Sequence, residues 1–110
     1  MNILYKAFCR IYQGAFRLAM PLLPWRKPIL IEGGIAALPE FIKSKGINSI
    51  MIVTDKGIRS LGLIDSLVNG LEKAEIKREI YDKTVPNPTI DNTEEALEQY
   101  KKNNCEGIIA

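Results

Sequence analysis

The sequence of 110 residues contains no histidine, and this absence limits its chemistry more than any other feature of its composition. Imidazole is the usual ligand of catalytic zinc and iron, and it is the commonest general acid or base in enzymes. We therefore expect any catalytic metal site of the full protein to be built from residues outside this chain.

Cysteines and long apolar runs are also scarce. The two cysteines, Cys9 and Cys105, lie far apart and form no CxxC or zinc-type spacing, so we expect two free thiols in a reducing compartment. No apolar run approaches the roughly 18 residues of a membrane span. Basic residues interrupt the first apolar segment, and no signal-peptide cleavage motif follows it. These absences predict a cytoplasmic protein.

Acidic residues are missing from the first 28 positions, which carry five basic side chains. The rest of the chain has ten basic and 13 acidic residues, a net charge of −3. We expect no nucleic-acid partner, because the basic segment has no clustered Lys/Arg run and the acidic body would repel phosphate. The five basic residues are Lys6, Arg10, Arg17, Arg26 and Lys27.

Residues 1–28 are predicted to form a separate N-terminal segment. Apolar side chains recur at helical spacing through residues 3–20, and the prolines between Pro21 and Pro28 end the helix in a strap. Such an amphipathic helix can lie on a membrane or pack on protein. We favour packing on the body or on a second subunit, since five positive charges are few for a membrane arm. A homo-oligomer is therefore left open.

Residues 29–110 alternate between strand and helix patterns. The near-continuous apolar run at 49–54 is typical of a parallel strand covered on both faces, and it predicts the centre of the sheet. Strand starts near 49, 77 and 107 are spaced like βα units, which predicts an α/β fold with a Rossmann-like parallel sheet and right-handed crossovers. The predicted strands are 29–31, 49–54, 77–81 and 107–110, and the predicted helices are 35–45, 58–74 and 92–103. We expect Gly62 to break the second of these helices and Asp91 to cap the third.

Ligands of such sheets bind beyond the carboxyl ends of the strands, which selects the loops at 54–57 and 82–89. Asp55 ends the central strand, where a carboxylate can accept hydrogen bonds from both ribose hydroxyls of an adenosine and repel a 2′-phosphate. Asp is equally suited to cap the next helix, and both roles can hold together.

The second loop contains Pro86, Asn87 and Pro88. Because Pro88 disfavours the helical region for the residue before it, we expect Asn87 to present its carboxamide from an extended, rigid loop. The alternative is a stiff connection between strand and helix that binds nothing.

Together, the Thr54–Gly57 loop, the segment Tyr81–Thr89 and the strand Cys105–Ala110 resemble iron-containing alcohol dehydrogenases in order and spacing. The resemblance covers roughly residues 29–110. It implies the N-terminal, partial nucleotide-binding domain of a dehydroquinate-synthase-like, iron-dependent alcohol dehydrogenase fold. It also implies that Asp55 contacts the adenosine ribose and that Asn87 contacts the cofactor, with Thr54 and Pro88 as lesser candidates.

The same resemblance implies the remaining parts of the enzyme. A Gly-Gly-Gly-Ser phosphate loop is expected directly after Ala110, and an aspartate and three histidines are expected to hold Fe²⁺ or Zn²⁺ in a helical C-terminal domain. The cofactor is expected to be NAD in preference to NADP, and the substrate a small alcohol or aldehyde. A chain without these parts is expected to be an inactive fragment.

Two other interpretations remain open. A glycerol-dehydrogenase-like or dehydroquinate-synthase-like relative would share the architecture but act on another substrate. A small ligand-binding α/β module would use the same fold without catalysis.

Overall fold

The computed structural model describes residues 2–110, so Met1, which begins the predicted N-terminal segment, lies outside the described residues. The chain divides into two compact units, of which the first ends at Leu30 and the second comprises Ile31–Ala110. The assignment of residues 1–28 and 29–110 to separate domains stays a prediction, because a compact unit need not be an independent domain.

The first unit is built on helix α1, Ile3–Ala19, which continues into a 3₁₀ turn at Met20–Leu22. Its N-terminus is capped by Asn2, and the predicted helix is confirmed. The rings of Phe8, Tyr12 and Phe16 stack along one side with centroid distances of 6.3 and 6.4 Å. No side chain of α1 is buried.

The second unit is a three-stranded parallel sheet with helices on its faces, which confirms the predicted α/β class. The strand order is β2-β1-β3, so the strand predicted to be central is central. Strand β1 pairs with β2 from Ser49↔Lys77 to Val53↔Tyr81, and with β3 from Ile50↔Gly107 to Ile52↔Ile109. The strands are β1 (Ser49–Val53), β2 (Lys77–Tyr81) and β3 (Gly107–Ile109), and the helices are α2 (Leu38–Ser44), α3 (Lys56–Ser60), α4 (Asp65–Lys73) and α5 (Ile90–Lys102).

Strand β1 divides the core into two layers, because successive side chains of a strand point to opposite faces. Ile50 and Ile52 lie in one cluster with Leu67 and Leu71 of α4. Met51 lies in the other cluster, where it packs with Tyr81 and with the buried thiol-bearing Cys105. The apolar run of β1 is thus buried on both faces, as predicted.

Three details differ from the sequence prediction. Residues 29–31 form no strand, and Leu30 is 89% exposed, because an apolar triplet becomes a strand only where a neighbouring strand pairs with it. The helix expected from residue 35 begins as a 3₁₀ turn at Gly34–Ala37. Helix α5 is capped by Thr89, whose hydroxyl accepts from the backbone N–H of Asn92, and the capping role predicted for Asp91 is wrong.

Gly62 separates α3 from α4, as its position inside the predicted helix at 58–74 indicated. Its φ of +70° lies in the left-handed region, which glycine adopts without a steric penalty. A Cβ at this position would also lie 2.9 Å from a carboxylate oxygen of Asp65. The break therefore depends on glycine.

We predict that Leu71→Ala lowers the free energy of unfolding by about 2–5 kcal/mol, because the side chain is fully buried and its removal leaves a cavity. Urea unfolding measures this loss. The matched control is Leu63→Ala, whose side chain is 60% exposed and whose loss should be about 0.5 kcal/mol or less. Equal losses in the two variants would contradict the assigned core.

Candidate functional site

The carboxyl ends of β1 and β2 lead into two loops that face each other at one edge of the sheet. Because the strands are parallel and adjacent, their ends lie side by side. Between the loops lies an open cavity of about 670 Å³. It is lined by Asp55, Lys56 and Gly57 from the first loop and by Asp82, Lys83, Thr84, Val85 and Pro86 from the second. We call this the edge cavity.

Asp55 occupies the first of these loops and acts as the N-cap of α3. Its Oδ1 accepts a hydrogen bond of 2.8 Å from the backbone N–H of Ile58. The capping interpretation is therefore confirmed, and the cap engages Oδ1 of the carboxylate. Gly57 leaves room for this arrangement, since a Cβ there would lie 3.0 Å from Oδ1.

Backbone contacts join the two loops. The N–H of Thr54 donates to the carbonyl oxygen of Tyr81 over 2.8 Å, and Asp55 forms an isolated antiparallel bridge with Lys83. Thr54 is half-buried and is not among the residues that line the edge cavity. The structure thus gives Thr54 a role in joining the strand ends.

Asn87 and Pro88 lie on an exposed part of the second loop. The extended backbone expected for Asn87 is wrong, because its φ is +57°. Pro88 disfavours the right-handed helical region for Asn87, and asparagine is among the residues that tolerate the left-handed region. Asn87 does not line the edge cavity, so the structure does not bring its side chain together with Asp55 there.

Pro88 lines a second, mainly apolar cavity of about 570 Å³ between α5 and the sheet. Its walls include Met51 and Tyr81 from the strands and Asn92 from α5. Of the four residues predicted from the sequence, Asp55 therefore lines the edge cavity and Pro88 the second cavity, while Thr54 and Asn87 line neither.

Asn92 fastens the second loop to the start of α5. Its Nδ2 donates to the Tyr81 hydroxyl over 3.3 Å and to the carbonyl oxygen of Lys83 over 3.4 Å. The Tyr81 hydroxyl donates in turn to Glu95 over 3.2 Å. These bonds fix the first residues of the loop, and sequence reasoning missed them because they depend on tertiary contacts.

An ion pair between Arg59 and Asp82 was also missed by sequence reasoning. Nη1 of Arg59 donates to Oδ2 of Asp82, and so joins α3 to the residue that follows β2. This hydrogen bond holds the pKa of Asp82 below its ordinary value of 3.8, and the positive charges of Arg59 and Lys56 act in the same direction. The available signal was positional: Asp82 follows β2 directly, and Asp55 lies two residues after the end of β1.

Metal ligands are not clustered in the described part of the chain. Among residues 2–110, no group of three His, Cys, Asp or Glu side chains is placed to hold a metal ion. No helix in the same range is long and apolar enough to cross a membrane.

The family model for iron-containing alcohol dehydrogenases matches residues 26–110. Over 86 residues the chain is 35% identical to a choline dehydrogenase of Bacillus subtilis, covering 76% of this chain and 21% of that protein. It is 34% identical over 102 residues to alcohol dehydrogenase 4 of Schizosaccharomyces pombe, covering 90% of this chain and 24% of the relative.

Among solved structures, the chain is similar to the NADH-dependent butanol dehydrogenase A of Thermotoga maritima, with a TM-score of 0.68 and 29% identity. The similarity covers 78% of this chain and 23% of that structure. The chain thus spans about a fifth of the length of the curated relatives it matches.

We predict that Asp82 titrates below 3.8 and that Arg59→Gln raises its midpoint towards that value, because the variant removes the hydrogen bond and the charge. NMR titration of the carboxyl carbon measures both midpoints. Because the pKa of Asp82 is lower in the folded than in the unfolded protein, the ion pair stabilises the folded state at pH values above the unfolded-state pKa. This contribution is lost as the pH falls through the folded-state pKa of Asp82. Arg78→Gln is the control, because Arg78 pairs with Glu72 and its replacement should leave the titration midpoint of Asp82 unchanged. An unchanged Asp82 midpoint in Arg59→Gln would contradict the assignment.

Proposed function

The chain belongs to the iron-containing alcohol dehydrogenase family, and from this membership we propose that it forms the adenosine side of the NAD site of a dehydrogenase acting on a small alcohol or aldehyde. The reaction of the whole enzyme would transfer hydride between the alcohol and NAD, giving an aldehyde or ketone. Relatives of the chain are named alcohol dehydrogenase, lactaldehyde reductase and 1,3-propanediol dehydrogenase, which supports an oxidoreductase of this class.

The single observation that carries the proposal is the position of Asp55 beside the edge cavity. The carboxylate stands at the end of the central strand, where ligands of open α/β sheets bind. Its capping bond uses Oδ1 and fixes the side chain, while Oδ2 can accept from a ribose hydroxyl. A carboxylate held in place before binding loses little side-chain entropy when the ligand arrives.

Charge at the cavity supports NAD in preference to NADP. Asp55 and Asp82 both line it, and two carboxylates repel the additional charge of a 2′-phosphate. Lys56 and Lys83 line the same cavity and would reduce this repulsion, although the Lys83 ammonium lies 3.6 Å from the Glu95 carboxylate. The butanol dehydrogenase of similar fold is named as NADH-dependent, which agrees with the proposed preference.

We assign lesser roles to the other three predicted residues. Asn87 is exposed on the second loop, from which its carboxamide can reach a cofactor lying along the edge of the sheet. Pro88 limits the backbone freedom of Asn87. Thr54 joins β1 to β2 next to Asp55 and so keeps the two loops in register.

The residues of this chain do not fit the metal of the family. The sequence has no histidine, and the described residues hold no ligand cluster, so Fe²⁺ or Zn²⁺ and its ligands belong to another part of the enzyme. When bound, such a metal supplies Lewis-acid polarisation of the substrate oxygen. The contribution of this chain is to bind and orient the cofactor.

The remaining properties of the enzyme are proposed from the sequence. The two cysteines without paired spacing favour a reducing compartment such as the cytoplasm. The charge distribution disfavours a nucleic-acid partner. The exposed apolar side of α1 leaves a homo-oligomer open, with protein packing favoured over a membrane surface.

We predict that the chain binds 5′-AMP and that Asp55→Asn weakens this binding about fivefold, equivalent to ~1 kcal/mol, because the variant keeps the capping acceptor and loses the charge. NMR titration with ¹⁵N-labelled protein gives the affinity and shows which amides shift. Asp91→Asn is the control, since Asp91 is exposed at the start of α5 and does not line the edge cavity. Equal affinity in wild type and Asp55→Asn would remove Asp55 from the proposed site.

We also predict that the purified 110-residue chain does not oxidise alcohols with NAD, even when Fe²⁺ or Zn²⁺ is added, because its residues do not supply metal ligands. NADH formation is followed by absorbance with ethanol and 1,3-propanediol as substrates. NADH formation faster than in a blank that contains the metal but no protein would contradict the proposal that the metal ligands lie outside this chain.

A further inference from the structure

We propose that Asp82 is a specificity-determining residue of this site: it holds the Arg59 guanidinium and so prevents it from accepting the 2′-phosphate of NADP. This inference rests on the proposed function, because it requires the adenosine ribose to lie near Asp55. It adds a second determinant to the repulsion exerted by the Asp55 carboxylate.

The three side chains meet because of the local fold. Asp55 caps α3 and Arg59 lies four residues later, so the two residues share one side of the helical turn, and the N–H of Arg59 donates to the Asp55 carbonyl over 3.1 Å. Asp82 follows β2 directly, and its neighbour Lys83 is bridged to Asp55. Arg59 therefore extends from the turn that carries Asp55 towards the opposite loop.

The ion pair determines where the guanidinium is held. Nη1 of Arg59 contacts Oδ2 of Asp82, and the two side chains are 49% and 24% exposed, so solvent and ligands can reach the pair. The lowered pKa of Asp82 keeps its carboxylate charged at neutral pH. A phosphate would have to displace this carboxylate before it could bind Arg59.

Removal of the Asp82 charge should change the site in two ways. It takes one negative charge from the wall of the edge cavity, and it releases a guanidinium whose donors match phosphate geometry. A nearby arginine is the usual means by which dinucleotide sites accept a 2′-phosphate. Arg59 contacts Asp82 but is not itself among the residues that line the edge cavity. Of the two lysines that do line it, Lys83 is already 3.6 Å from the Glu95 carboxylate, and Lys56 has the same charge before and after the substitution. Arg59 is therefore the group whose release should matter most.

The experiment compares 5′-AMP with adenosine 2′,5′-bisphosphate, two probes that differ only by the 2′-phosphate. NMR titration gives both affinities for the 110-residue chain, for Asp82→Asn, for Arg59→Gln and for the double variant. We expect Asp82→Asn to raise the affinity for the bisphosphate, relative to the affinity for 5′-AMP, about tenfold over the wild-type ratio. The double variant should lose this gain, and Arg59→Gln alone should show none.

A matched control separates release of this arginine from a general change in charge. Glu72→Gln breaks the ion pair with Arg78, which is separate from the Arg59–Asp82 pair, and it should leave both affinities unchanged. If Asp82→Asn does not fold, as judged from its amide spectrum, Asp82→Ser removes the same carboxylate.

Two results would overturn the inference. An unchanged bisphosphate affinity, relative to that for 5′-AMP, in Asp82→Asn would show that Asp82 has only a structural role. If the double variant kept the full gain in relative bisphosphate affinity, loss of the Asp82 charge would act without Arg59. Failure of wild type to bind 5′-AMP at all would instead refute the proposed adenosine site. The two failures are therefore distinguishable.

Discussion

Strand β1 is hydrogen-bonded on both edges and covered on both faces, and the positions of the candidate site residues depend on that burial. Ile50 and Ile52 pack into one layer while Met51 packs into the other, so a shift of one residue would move apolar side chains out of both layers. The fixed register sets β1 to end beside β2. Asp55 and Asp82 consequently line one cavity from two different loops, although 27 positions separate them.

Asp55 shows how one carboxylate can serve both the fold and a ligand. Its capping bond satisfies a backbone N–H at the start of α3 and at the same time fixes the direction of the side chain. The cap and the proposed ribose contact therefore do not compete, because the cap uses Oδ1 and the proposed contact would use Oδ2. A capped carboxylate is also a poor choice for alanine replacement, since loss of the cap alone destabilises a protein by ~1 kcal/mol.

Features with a local or periodic cause could be predicted from the sequence. The pattern of apolar residues located the three parallel strands and predicted that β1 is the central one. Gly62 marked the break between α3 and α4, which its positive φ explains. Tertiary competition explains the failures: Ile29–Ile31 has no pairing strand, and Thr89 takes the cap position from Asp91. The Arg59–Asp82 pair joins α3 to the residue that follows β2, and no local pattern in the sequence predicts such a contact.

In the proposed site, cofactor selectivity is a property of the two paired loops and not of one residue. Asp55 and Lys83 are bridged, and Arg59 and Asp82 are ion-paired, so each loop positions groups of the other. The charge near a substituent on the ribose therefore depends on two things. One is which carboxylate binds the Arg59 guanidinium, and the other is how many carboxylates line the cavity. Under the proposed function, substitutions among these residues would change cofactor preference without touching the metal ligands, which that proposal places outside this chain.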